Sequence, residues 1–104
     1  MIYELRVYHI LPGKMEAINN RFANHTLKLF AENGVNVSDF WVDATGAERL
    51  YYICEFEDEE AMAAAWKKHQ SDPRWIEARA ASEVDGKLIE RVESYIMKQA
   101  PYFG

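Results

Sequence analysis

The segment Leu50–Phe56 reads LYYICEF and carries a single charge, Glu55. Aromatic and β-branched residues favour strands, and successive side chains of a strand point to opposite faces. Leu50, Tyr52, Cys54 and Phe56 therefore share one face, while Tyr51 and Ile53 share the other. An antiparallel sheet with one wet face should alternate apolar and polar positions. This strand does not, so any sheet built around it must be covered on both sides. Its neighbours repeat the pattern: Leu5 and Val7 stand opposite Ile2 and Tyr8, and Trp41 stands opposite Phe40 and Val42.

The rest of the chain supplies cover for only one of those faces. Residues 2–10 (IYELRVYHI) are rich in β-formers and read as a first strand. Pro12-Gly13 breaks it. From Lys14 to Asn33, Met15, Ile18, Phe22, Thr26, Leu29 and Phe30 recur at three- and four-residue steps, which is one face of a long helix. Asn33-Gly34 stops that helix. Val35–Asp43 reads as a second strand, Thr45-Gly46 as a turn and Arg49–Glu57 as the third strand. Asp58 is a helix N-cap with Glu59 and Glu60 in the first turn, where the helix dipole favours acids. Met62, Ala65, Trp66 and His69 form the buried stripe of this second helix. Asp72-Pro73 opens a short third helix with Trp75, Ile76, Arg79 and Ala80, Asp85-Gly86 closes it, and Leu88–Lys98 reads as the fourth strand. The order predicts an α+β fold of ferredoxin-like βαββαβ type. Its four-stranded antiparallel sheet has helices on one face and strands one and three at its centre.

A chain of 104 residues suits one domain, residues 1–104, and its 49% hydrophobic content excludes disorder. The net charge of −5 and the lack of any Lys/Arg run argue against nucleic-acid and anionic-membrane partners. No segment reads as a signal peptide or a membrane span, and Cys54 has no cysteine to pair with, so a cytoplasmic location is expected. Cys54 itself reads as a buried small hydrophobe. His9, His25 and His69 are far apart and no pair has usual metal-ligand spacing, so no metal is expected. Glycine-rich phosphate loops and nucleophile elbows are absent, and no cofactor is expected.

With helices on one face, the second apolar face predicts a homodimer in which two sheets face each other around a shared interior. If Leu5 and Val7 face the helices, Glu4, Arg6 and Tyr8 face that interior. Arg6 is then a candidate anchor for a carboxylate or enolate oxygen, and Tyr8 a candidate proton donor. The plainer alternative is that Glu4 and Arg6 pair across the dimer or with strand four, where Glu90, Arg91 and Glu93 offer partners. His25, at the edge of the first helix stripe, is a candidate general base or a half-buried structural histidine. Tyr3, Trp41 and Trp75, with Arg79 one turn beyond Trp75, are candidate ligand contacts, against simple packing. Trp66, on the stripe, reads as core.

Tyr3-Glu4-Leu5-Arg6-x-Tyr8, Pro12-Gly13-Lys14, His25, Gly34, Phe40-Trp41, Asp72-Pro73-x-Trp75 with Arg79, and Leu88–Ser94 (LIERVES) together resemble the NIPSNAP family, with a local departure at Val37-Ser38-Asp39. The resemblance spans nearly the whole chain and implies a dimeric α/β barrel. That fold is shared by small cofactor-free oxygenases, isomerases and haem-using enzymes, so no one reaction follows. Animal members are mitochondrial and tied to vesicle traffic and mitophagy signalling; with no transit-like segment legible here, that role is not carried over. The leading expectation is a small-molecule-binding barrel that takes a hydrophobic or aromatic compound, as a cofactor-independent monooxygenase or isomerase. The alternative is a non-catalytic interaction module whose sheet face serves only dimerisation.

Overall fold

The computed structural model describes residues 1–104. Four strands, β1 (Ile2–Ile10), β2 (Asn36–Val42), β3 (Arg49–Phe56) and β4 (Ile89–Met97), form one antiparallel sheet in the order β2-β3-β1-β4. The two most apolar strands are thus central, as their pattern requires. The helices α1 (Met15–Arg21), α2 (Leu27–Glu32), α3 (Glu59–Gln70) and α4 (Pro73–Ser82) complete the ferredoxin-like α+β arrangement. The short axis of the molecule is 19 Å, which is one sheet plus one helix layer. No helix is long and apolar enough to cross a membrane.

Helix ends follow local chemistry. The Asp58 carboxylate accepts from the Ala61 amide at 2.8 Å, and Asp72 accepts from the Arg74 amide at 2.9 Å with Pro73 at the first helical position. After α2 the Val35 amide reaches back to the Phe30 carbonyl at 2.9 Å, a closure that needs the left-handed backbone of Gly34 (φ +88°).

The first helix differs from its expected form. Residues Phe22–Thr26 make a π-helical turn between α1 and α2. The buried stripe explains it. Ile18, Phe22, Thr26 and Phe30 recur every four residues, and in a plain α-helix each such step drifts about 40° around the axis. One widened turn brings the stripe back over the sheet, and the Thr26 hydroxyl donates to the carbonyl of Arg21 at 3.3 Å.

Antiparallel register decides which side chains meet the helices. Leu50, Tyr52, Cys54 and Phe56 are buried beneath them. Glu4 is opposite Cys54, Arg6 opposite Tyr52 and Tyr8 opposite Leu50, so these three lie on the helix side. This reverses the expected assignment for β1. Leu5 and Val7, opposite Ile53 and Tyr51, belong to the bare face. The helix side is held by rings around Tyr52, which stacks on Phe40 at 5.0 Å and meets Tyr8 and Phe22 edge-on at 5.4 and 5.8 Å. On the bare face, Tyr3, Leu5, Val7, Tyr51 and Ile53 are only partly buried, and Trp41 and Tyr95 are half exposed.

Candidate functional site

Glu4 is the polar centre of the helix side. It is 3% exposed and accepts three hydrogen bonds: from Trp66 Nε1 at 2.7 Å, Ser94 Oγ at 2.6 Å and Arg6 Nη1 at 2.9 Å. The partners expected for the Glu4–Arg6 pair on β4 were Glu90, Arg91 and Glu93; the one β4 residue that joins is Ser94. Once β1 turns this pair inward, Glu93, opposite Val7, lies on the other face. There it pairs instead with His9 and Tyr95.

Arg6 sits above Glu4 with its guanidinium 4.4 Å from the centre of the Trp66 ring. Its Nε donates to the Tyr52 hydroxyl at 3.0 Å, and the Tyr52 and Tyr8 hydroxyls are 2.8 Å apart. Burial opposes the Arg6 charge most strongly, but Tyr52, Tyr8 and Glu4 outweigh it and hold its pKa above the ordinary value. Burial likewise drives the Tyr52 hydroxyl well above its usual range. Tyr52 is therefore a neutral hydroxyl at pH 7, able to donate.

Of these groups, Arg6 and Tyr8 open into a cleft of about 730 Å³ between the sheet and the helices. Its floor includes Arg6 and Tyr8, the π turn contributes Phe22 and Thr26, and the far walls are Trp66 and His69 of α3 with Trp75 and Arg79 of α4. His69 is 3% exposed, and burial lowers its pKa from 6.5 to about 4, so the imidazole is neutral at pH 7. Its ring lies 4.7 Å from both Phe30 and Trp75. Arg21, at the end of α1, is also buried; its guanidinium lies 5.0 Å from the Trp75 ring centre and its Nη1 donates to Ser82 and Glu83. Cys54 is fully buried beneath the helices, and burial pushes its thiol up to about 12, so it is not a nucleophile. No group of three or more His, Cys, Asp or Glu residues is disposed to hold a metal ion.

Of the residues singled out from sequence, the cleft gathers Arg6, Tyr8, Trp75 and Arg79. His25 is not among them. It is exposed on the π turn because the four-residue stripe turns Thr26 inward instead. Tyr3 and Trp41 lie across the sheet on the bare face, opposite Glu55 and Tyr51 respectively. Sequence reasoning missed Arg21 and left His69 as a stripe residue. The available signals were a charge set between Ile18 and Phe22 on the buried face, and a titratable ring on the core side of α3.

Comparison with known proteins agrees with this architecture. The NIPSNAP family model matches residues 3–103. Protein NipSnap homolog 1 of Danio rerio is 31% identical over 100 residues, covering 92% of this chain and 33% of the fish protein. The chain thus spans about a third of that relative's length. An uncharacterized NIPSNAP domain protein from Burkholderia xenovorans superposes with a TM-score of 0.84 at 20% identity, over 100% of this chain and 99% of the other. A protein assigned as an antibiotic biosynthesis monooxygenase, from Nitrosomonas europaea, gives 0.66 at 16% identity, over 95% and 98%. At these identities the structural likeness concerns the fold. The family match along nearly the whole length is what identifies the protein: the chain belongs to the NIPSNAP family.

Proposed function

We propose that this chain works as a homodimeric α/β barrel in which each protomer binds a small apolar or aromatic molecule in the cleft between its sheet and its helices. The cleft carries the reading. Its volume falls within the range of ligand pockets, and its wall is divided about evenly between rings and aliphatic groups, Phe22, Trp66 and Trp75 among them, and polar or charged groups such as Arg6, Arg21 and His69. The ligand site is therefore sought on the helix side of the sheet, while the bare face serves pairing. On that face Leu5, Val7, Ile53, Trp41 and Tyr95 make an apolar surface for a second copy to cover.

The chemistry the cleft supports is proton transfer. His69 is neutral and can accept a proton, and Arg6 with Tyr8 can stabilise an oxyanion on the ligand. An isomerisation fits these parts, because the proton taken from one atom returns to another and no oxidant is consumed. A monooxygenase on the same scaffold, as the fold likeness to the Nitrosomonas protein suggests, would take molecular oxygen as co-substrate, one atom entering the ligand and the other leaving as water with two electrons and two protons drawn from the ligand itself.

The test is a thermal-shift and calorimetric screen of aromatic and carbonyl compounds against the wild type and Trp75→Ala. A ligand of the cleft raises the melting temperature of the wild type, and the substitution removes the shift. If no compound shifts the wild type, the ligand reading fails, and the chain is better described as an interaction module. Pairing is tested separately by light scattering. The wild type should show the mass of two chains and Ile53→Asp the mass of one; a one-chain mass for the wild type at micromolar concentration refutes the dimer.

A further inference from the structure

Two buried side-chain nitrogens lack a hydrogen-bond partner, Arg21 Nε and His69 Nδ1. Both side chains line the cleft, and both lie against Trp75, at 5.0 and 4.7 Å. Their elements are far apart in sequence, one on α1 and one on α3, with the indole of α4 between them in the contact network. A buried donor or acceptor left unmade is costly, so these two, each against the same indole, mark where a ligand's polar atoms would be satisfied.

Arg21 has the geometry to take an acid. Its side chain is 3% exposed, and its bonds to Ser82 Oγ and Glu83 Oε2, at 3.2 and 3.3 Å, both use Nη1. The edge formed by Nε and Nη2 is left free. That edge grips a carboxylate through two parallel hydrogen bonds. Nor does Glu83 cancel the local charge, because it is shared with Arg79 at 3.3 Å. Around the whole cleft five cations (Arg6, Arg21, Arg79, Lys87 and Arg91) face Glu83 and Glu90, and with Arg6 already paired to Glu4 the surplus is two positive charges on a chain whose net charge is −5. Such a local reversal of sign selects and steers an anion.

We propose that the ligand of this cleft is an aromatic or apolar carboxylate. Its anionic group is held on the Nε edge of Arg21, and a hydrogen-bonding substituent meets Nδ1 of His69. This deepens the small-molecule reading above and rests on it. The neutral imidazole adds no charge of its own, so the selectivity for an acid belongs to Arg21 and the surrounding cations.

The experiment compares 2-naphthoate with 2-naphthamide by calorimetry on the full chain. The two probes share ring and size and differ in charge. The naphthoate should bind at least about tenfold more tightly, and added salt should weaken that preference. Arg21→Gln should bring the naphthoate down to the level of the naphthamide, whose own affinity stays unchanged. Glu83→Gln, which removes the carboxylate competing for Arg21, should tighten the naphthoate several-fold, and it tests the assignment even if the Arg21 variant does not fold. Equal affinity for both probes, or a weaker naphthoate in Glu83→Gln, overturns the acid assignment while the cleft remains a ligand site. If neither probe binds at millimolar concentration, both readings fall.

Discussion

Lowering the pH from 7 to 5 should destabilise this protein through His69, by an amount the structure permits one to work out. Burial lowers the His69 pKa to about 4, with Arg6 adding to the effect and Asp72 working against it, whereas the ordinary value is 6.5. The folded imidazole therefore stays neutral down to about pH 4, while the unfolded one takes up a proton below 6.5. Between these values the unfolded chain binds more protons, so stability falls as the pH falls. Integrating the two titrations gives a loss of about 2 kcal/mol between pH 7 and pH 5 from this one group. The hydrogen-bonded carboxylates Asp43, Asp72 and Glu93 do not confuse the window. Asp43, Asp72 and Glu93 have pKa values lowered by their hydrogen bonds, so their contributions are present above their ordinary values of 3.8 to 4.5 and are lost only below them. The assay is urea unfolding followed by tryptophan fluorescence at both pH values, with protomer concentration fixed because pairing would add to apparent stability. His69→Gln keeps a polar side chain on α3 but no group that titrates near pH 6. The variant should lose about 2 kcal/mol less than the wild type over this interval. If the two proteins lose the same amount, the buried neutral imidazole is not the cause and the reasoning fails.

Other expectations follow from the same side of the sheet. Glu4→Ala leaves Arg6, Trp66 Nε1 and Ser94 without their common acceptor, and chemical denaturation should show a loss of about 3 to 5 kcal/mol. Glu4→Gln, which keeps one acceptor oxygen, should lose less. Gly34→Ala meets only an ordinary contact with Ala65 at 3.6 Å, so its cost comes from the left-handed backbone. It should lower stability by about 1 kcal/mol, and a drop of several kcal/mol would point to a clash instead. Cys54, with its thiol pushed up to about 12, should ignore a disulfide exchange reagent in the native protein and react once per chain in urea; fast labelling of the native state would contradict its burial.

Local patterns carried the element order and most of the ends. Asp58 and Asp72-Pro73 start helices because their side chains and ring geometry satisfy or dispense with free amides. The two-sided apolar character of β3 made it a central strand, and β1 beside it likewise. The π turn was not legible, since four-residue steps fit a helical stripe as well as three-residue ones until a fixed sheet surface has to be matched. His25 and Thr26 are adjacent, and that turn decides which of them faces inward.

The same division runs through the site. Sequence alone determined the α+β class and a sheet apolar on both faces, because periodicity is a property of neighbouring residues. It also brought forward Arg6, Tyr8, Trp75 and Arg79 as polar and aromatic groups of interest. It did not determine which face of the sheet they serve. In β1 both sets of alternating residues contain large apolar side chains, so either could have met the helices. Pairing with β3 settled the matter, since Leu50, Tyr52 and Cys54 carry their partners Tyr8, Arg6 and Glu4 to the same side. Only tertiary packing brings Arg21 of α1 to Trp75, Ser82 and Glu83 of the α4 region, and His69 of α3 to the same indole. Contacts of that range depend on how helices sit on a twisted sheet, which no local pattern records.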